Sequence, residues 1–169
     1  MPGPTLYIVD GYNVLHALIP GLAQADLADR RQWLVDHLAS LAGARAARVL
    51  LVFDAPSTRA TACEQVGKTG LEVCFASGRQ GADALIARRI AGRPADVHVV
   101  VVSADQEVQR TASRAGVSRM TPAELGRAMN ISAKELAFSS DPYTMRTRIE
   151  DEVDLETWRK LEELRTETD

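Results

Sequence analysis

The chain has 169 residues, 46% of them apolar and 25% charged, with a formal net charge of −3. This is the balance of one ordinary globular domain with a sizeable core, and no stretch approaches the roughly 20 apolar residues of a membrane-spanning helix. The acidity is uneven: residues 1–130 carry 14 Lys+Arg against 12 Asp+Glu, whereas residues 131–169 carry 6 against 11, so the body permits a local basic surface and the tail holds the negative charge.

In chain order, Leu6-Tyr7-Ile8-Val9 is a short apolar run that ends in Asp10-Gly11-Tyr12-Asn13. A run of this kind reads as a strand buried on both faces, with Gly11 allowing a sharp turn where it leaves the core. A turn region is expected from Ala17 to Ala25, broken by Pro20 and Gly21. Asp26 then caps a helix over residues 27–42, in which Leu27, Leu34, Leu38 and Leu41 recur at helical spacing and Gly43 is the stop. Val49 to Phe53 is a second strand, ending at Asp54. Residues 55–70 are expected to form a long loop, carrying Arg59 and Lys68.

A third strand covers Leu71 to Ala76, and Ser77-Gly78-Arg79-Gln80-Gly81 leads into a helix from Ala82 to Ala91 with Asp83 in its first turn. Val97 to Val102 is the fourth strand, followed by Ser103-Ala104-Asp105-Gln106. Ser103 and Gln106 have capping-box spacing, with Val108, Ala112 and Ala115 as the buried face of the helix and Gly116 as its stop. Val117 to Met120 is a short fifth strand. Thr121-Pro122-Ala123-Glu124 opens another helix, with Thr as cap, Pro at the first helical position and Glu completing the box. Beyond it, Ser132 to Leu136 reads as one or two helical turns, residues 139–142 as a turn, and Arg148 to Arg165 as a charged helix. Residues 1–130 are thus a domain and 131–169 an acidic helical extension of it. Cys63 and Cys74 lack metal-ligand spacing, and the opening Met1-Pro2-Gly3-Pro4 lacks a basic and apolar leader. A reduced cytoplasmic setting is expected, with Cys74 as a small core residue.

Strands joined by crossover helices are parallel, and parallel strands place their carboxyl ends on one edge, where open α/β sheets bind ligands. Asp10, Asp54, Asp83 and Asp105 all fall there, with Asn13 and Ser103 as neutral partners. Carboxylates gathered without Lys or Arg between them repel one another unless something cationic joins them. Oxygen-only donors favour Mg²⁺ or Mn²⁺, and the chemistry natural to such an ion is hydrolysis of a phosphodiester. Asp54, in Phe53-Asp54-Ala55-Pro56, is the acid most suited to a structural role. Tyr12 reads as packing or as a stacking surface for a base, and Arg79 as a phosphate-facing cation.

Ile8-Val9-Asp10-Gly11-Tyr12-Asn13-Val14-Leu15-His16, Val52-Phe53-Asp54-Ala55, Gly81-Ala82-Asp83-x-x-Ile86 and Val101-Val102-Ser103-Ala104-Asp105-x-x-Val108-Gln109 resemble the YacP-like branch of the NYN domains, within the PIN-like nuclease superfamily. The resemblance implies a three-layer α/β/α sandwich on a mostly parallel sheet. It also implies a metal-dependent endoribonuclease, with ribosome-associated RNA cleavage known in the branch. It maps Asp10, Asp83 and Asp105 onto the metal ligands, Asn13 onto a residue that positions a ligand or the attacked phosphate, and Ser103 onto support of the metal site. Relatives often carry a second acid straight after the position of Asp83, where this chain has Ala84, and the acid that follows Asp105 would be Glu107. Two readings therefore stand: an endoribonuclease using Mg²⁺ or Mn²⁺, and a catalytically weak or inactive module of the same fold that binds RNA or the ribosome. A receiver-type phosphoacceptor domain wants paired acids after the first strand and a lysine after the last, whereas this chain has Asp10-Gly11 and no lysine near Val117 to Met120. A phosphatase would want an Asp-x-Asp pair at a strand end, and none is present.

Overall fold

Continuous runs of β-branched and aliphatic residues suit strands that are covered on both sides, and the sheet is built from them. The computed structural model describes residues 3–19, 27–79 and 81–129. Its strands are β1 (Thr5–Asp10), β2 (Arg48–Asp54), β3 (Ala62–Gln65), β4 (Leu71–Ala76), β5 (His98–Val102) and β6 (Ser118–Met120), in the spatial order β3-β4-β2-β1-β5-β6. All neighbours pair in parallel except β3 with β4.

Alternation along each strand divides the core in two. Tyr7, Val9, Val49, Leu51, Phe53 and Val73 face α1 (Gly11–Leu18), α2 (Leu27–Arg45) and α5 (Pro122–Ala128). Ile8, Leu50, Val52, Cys74, Val99 and Val101 face α3 (Gly81–Ala91) and α4 (Gln106–Arg114). This is the α/β/α layering expected. Shifting a central strand by one residue would exchange its two buried sets, so the register is strongly specified. Thr121 caps α5 as expected: its hydroxyl accepts from the Glu124 N–H at 3.1 Å, and the Glu124 carboxylate accepts from the Thr121 N–H at 3.2 Å.

Four expectations are corrected. The chain does not merely turn after Asp10 but enters α1 at once. Gly11 is required there by crowding: a Cβ on it would lie 2.5 Å from the Phe53 ring. Gly43 does not stop α2, which runs on to Arg45 and ends where Ala46 takes a φ of 49° and the Ala47 N–H bonds Ala42 O at 3.0 Å. The span 55–70 is not all loop, since Ala62–Gln65 forms an antiparallel hairpin with β4, turned through Gly67 and Gly70 at positive φ. Finally, the cysteines are not reduced. Cys63 and Cys74 stand directly opposite each other across that hairpin and are joined by a disulfide. The cap at Asp26, the breakers Pro20 and Gly21, and the elements expected beyond residue 130 lie outside the described residues.

Candidate active site

The sheet order changes direction at β1: β2 and β4 lie on one side of it, β5 and β6 on the other. The crevice at such a switch point lies between the carboxyl ends of the diverging strands, here β1 and β5. Asp10 is the last residue of β1, and Ser103 follows β5 directly.

Hydrogen bonds tie these two strand ends together. The buried Ser103 hydroxyl donates to Asp10 Oδ2 at 3.1 Å and accepts from the Asp105 N–H at 3.0 Å. Asn13 Oδ1, from the first turn of α1, accepts from the Ala104 N–H at 2.7 Å. Gln109 Nε2 donates to Ser103 O at 2.7 Å. The residue that caps α4 is Asp105, whose Oδ1 accepts from the Glu107 N–H at 2.8 Å. This overturns the capping box read at Ser103: the carboxylate of Asp10 draws the serine hydroxyl into the cleft, and α4 begins only at Gln106.

Asp83 reaches the site by a different route. Asp54 Oδ1, at the end of β2, accepts from the Ala82 N–H at 3.0 Å, which fixes the start of α3. Gly81 makes this approach possible, because a Cβ there would collide with Asp54 Oδ1 and its φ is 35°. Asp54 therefore serves as an anchor for the turn that presents Asp83.

The electrostatics record the crowding. The Asp10 carboxyl is pushed up from its ordinary 3.8 to about 6. Burial is the main cause. The Ser103 hydrogen bond opposes it, and the charges of Asp83, Asp105 and Asp54 add to it. Asp83 is also raised, by partial desolvation first and then by Asp105, Asp54 and Glu107. Among the described residues no Lys or Arg forms an ion pair with Asp10, Asp83 or Asp105. Carboxylates and a hydroxyl, unneutralised by the protein, form a donor set that fits a hard divalent cation and could hold one. The acids stand apart: among the described residues, only Cys63, Glu72 and Cys74 bring three ligand atoms within 4.8 Å of one another.

The remaining candidates divide. Arg79 lines a groove of about 360 Å³ between α3 and α4 together with Asp83, Ala84, Glu107 and Val108. The Glu107 carboxylate pairs with Arg110 at 2.8 Å in solvent. Tyr12 is half-buried, packs its ring on Phe53 at 4.9 Å between centroids, and accepts a hydrogen bond from Arg31 at 3.2 Å. Arg59 is exposed in the segment after β2. Lys68 lies in the β3–β4 turn, at the opposite edge of the sheet from the acids, about 20 Å away by the rise of a strand. The group that the sequence reading missed is Cys63, Cys74, Glu72 and Arg89. Its signal is the hairpin itself, whose turn lies midway between the two cysteines.

Among the described residues no helix is long and apolar enough to cross a membrane. The family model of the YacP-like NYN domain matches residues 7–166. The crystal structure of Rae1 (YacP) from Bacillus subtilis is similar, with a TM-score of 0.59 and 21% identity over 96% of this chain and 82% of that one. A mutant of the same protein gives a TM-score of 0.61 and 24% identity over 86% and 79%. At these identities the likeness is one of fold. No match is found among the curated proteins.

Proposed function

The chain belongs to the YacP-like NYN domain family, and from that premise we propose that it is a divalent-metal-dependent endoribonuclease acting on RNA in the cytoplasm, with the ribosome as a site of action. The observation that carries this reading is a half-buried Asp10 whose carboxyl is pushed up to about 6, by burial first and then by the charges of Asp83, Asp105 and Asp54. Ionising a carboxyl in that setting, desolvated first and repelled by its neighbours second, is a standing cost that a bound cation offsets.

Asp10, Asp83 and Asp105 would hold Mg²⁺ or Mn²⁺. The ion supplies Lewis acidity when bound, neutralising phosphodiester charge and acidifying water. The protein's own groups organise the rest. The Ser103 hydroxyl fixes the rotamer of Asp10 and favours its ionised form. Asn13 holds the Ala104–Asp105 loop against α1 by accepting from the Ala104 N–H, which would keep the Asp105 charge within electrostatic reach of Asp10. Asp54 and Gly81 hold the first turn of α3, and with it Asp83. Arg79, at the rim of the α3–α4 groove, offers a fork of donors to an RNA phosphate. Attack of water on phosphorus in line with the leaving 3′ oxygen breaks the P–O3′ bond and leaves a 5′-phosphate and a 3′-hydroxyl.

Ala84 favours a second reading. It lines the groove beside Asp83, where relatives often place a further acid. A site with one carboxylate fewer binds RNA with less charge repulsion and holds a second ion poorly. Incubating the protein with single-stranded and structured RNA in Mn²⁺, Mg²⁺ or chelator separates the two. Cleavage that requires metal and disappears in Asp83→Asn supports the nuclease. RNA or ribosome binding without turnover in any metal supports the binding module.

A further inference from the structure

The Cys63–Cys74 disulfide lies outside the acid cluster, and the function proposed above makes no use of it. Its surroundings are unusual for a plain structural cross-link. Cys63 is exposed on β3, the outermost strand of the sheet, while Cys74 is fully buried on β4 beneath α3. The two sulfurs therefore differ in access: an incoming thiol reaches Cys63 from solvent and cannot reach Cys74.

A charge pair sits against the bond. Arg89, from α3, places Nη2 3.9 Å from Cys63 Sγ and 4.0 Å from Cys74 Sγ. The same nitrogen donates to Glu72 Oε1 at 2.9 Å, and Nη1 reaches Glu72 Oε2 at 3.4 Å. Glu72 Oε1 is 3.7 Å from Cys74 Sγ. Cys63, Glu72 and Cys74 are close enough together to suggest a thiophilic metal site. However, the guanidinium stands where such a cation would have to approach, and its charge opposes one. A fixed positive charge beside two sulfurs instead suits a thiolate.

We propose that Cys63–Cys74 is a thiol-exchange site whose reaction partners are low-molecular-weight thiols, with Arg89 stabilising the thiolate that leaves. The thiolate of one small thiol attacks Cys63 Sγ. The S–S bond breaks, and Cys74 takes the electron pair and departs as a thiolate facing Arg89. A second small thiol attacks the mixed disulfide at the sulfur of the first, which releases Cys63 as a thiolate and leaves the two small thiols joined as their own disulfide. Two protons from the small thiols end on the cysteines, so the cysteine pair gains two electrons and the small thiols lose two. The reverse sequence closes the bond. Arg89 and Glu72 act through the sulfurs as positioning residues of opposite sign. An opposite charge within about 4–6 Å favours an ionised group by one to three orders of magnitude, and exchange rates follow about half of such a change on a logarithmic scale. Loss of Arg89 should therefore slow opening at least about threefold, and loss of the Glu72 charge should speed it by a similar factor.

The test uses the full chain, oxidised with oxidised glutathione and then exposed to reduced glutathione under native conditions. Free thiols are counted over time by the mass added by a maleimide reagent. The wild type should open both sulfurs while folded, Arg89→Gln should open more slowly, and Glu72→Gln more quickly. Four results would overturn the proposal: a pair that cannot be oxidised; thiols that appear only once the chain is unfolded; rates unchanged in both variants; or rates raised in both. The last is what loosening a purely structural clamp would produce.

Discussion

Replacing Asp10 by Asn should stabilise the metal-free protein while removing its proposed activity, and the gain should depend on pH in a defined sense. The folded state raises the Asp10 carboxyl from 3.8 to about 6, so over that interval the native chain binds a proton that the unfolded chain releases. The stability this residue contributes is therefore fully present below about pH 4 and is lost as the pH rises through about 6. At pH 8 the ionised carboxylate costs about two pKa units, or about 3 kcal/mol. Asparagine carries no charge at any pH, and its side-chain oxygen can still accept from Ser103. Allowing about 1 kcal/mol for the weaker fit of an amide in that place, Asp10→Asn should gain about 2 kcal/mol at pH 8. For a chain of this length that is a rise of about 4–8 °C in Tm. Thermal unfolding in chelator, followed by circular dichroism at pH 4 and pH 8, reads the effect directly. The variant should melt at or slightly below the wild type at pH 4, where the amide's weaker fit is not offset, and clearly above it at pH 8. Adding Mn²⁺ should then raise the wild type by about 2.7 kcal/mol at a hundredfold excess over its Kd and leave the variant where it was. A variant less stable than wild type at pH 8, or a difference unchanged between the two pH values, would refute the electrostatic reasoning.

Other consequences are separable by assay. Asp54→Ala removes the acceptor at the start of α3 and should cost about 1 kcal/mol in denaturant unfolding; it should lower turnover by misplacing Asp83, and Asp54→Asn, which keeps an acceptor oxygen, should restore most of both. Ser103→Ala removes the hydrogen bond that favours ionised Asp10, so the acid limb of the pH–rate profile should move to higher pH; an unmoved limb would contradict that role. Arg79→Ala should raise KM with kcat nearly unchanged, and its effect should shrink as salt rises; a loss confined to kcat would count against a phosphate contact.

How much could be read from the sequence follows from how strongly each segment is buried. β1, β2, β4 and β5 are covered on both faces, so burial forces a predominantly apolar run, interrupted in β4 only by Glu72, and such runs are visible without a structure. The acids beyond their carboxyl ends were visible for the same reason: the β1 and β2 runs stop at Asp10 and Asp54, Asp105 follows β5 by three residues, and Asp83 falls in the first turn of the helix after β4. β3 is an exposed edge strand of alternating half-buried and exposed residues, and nothing apolar marks it. The disulfide was hidden with it, because the cysteines are opposed only once β3 pairs with β4. α1 was obscured by its first residue: glycine reads as a turn, yet Gly11 is demanded by the Phe53 ring above it. At Ser103 a local pattern lost to a tertiary one. The capping spacing was present, but the half-buried Asp10 carboxylate at the end of the neighbouring strand took the hydroxyl. The role of Asp54 followed the opposite course: its place in a strand-end turn already pointed to structure, and its bond to the Ala82 N–H shows what it supports.

The most direct test of the proposed nuclease is the rate at which a 5′-labelled single-stranded RNA is cut in Mn²⁺ by the wild type and by Asp10→Asn, purified side by side. Even residues behind a metal's ligands cost 10–100-fold when removed, so loss of a ligand should lower the rate by on the order of 100-fold or more. The wild-type products should carry 5′-phosphates, and chelator should stop the reaction. Equal rates in the two proteins, or cleavage that persists in chelator, would contradict the account.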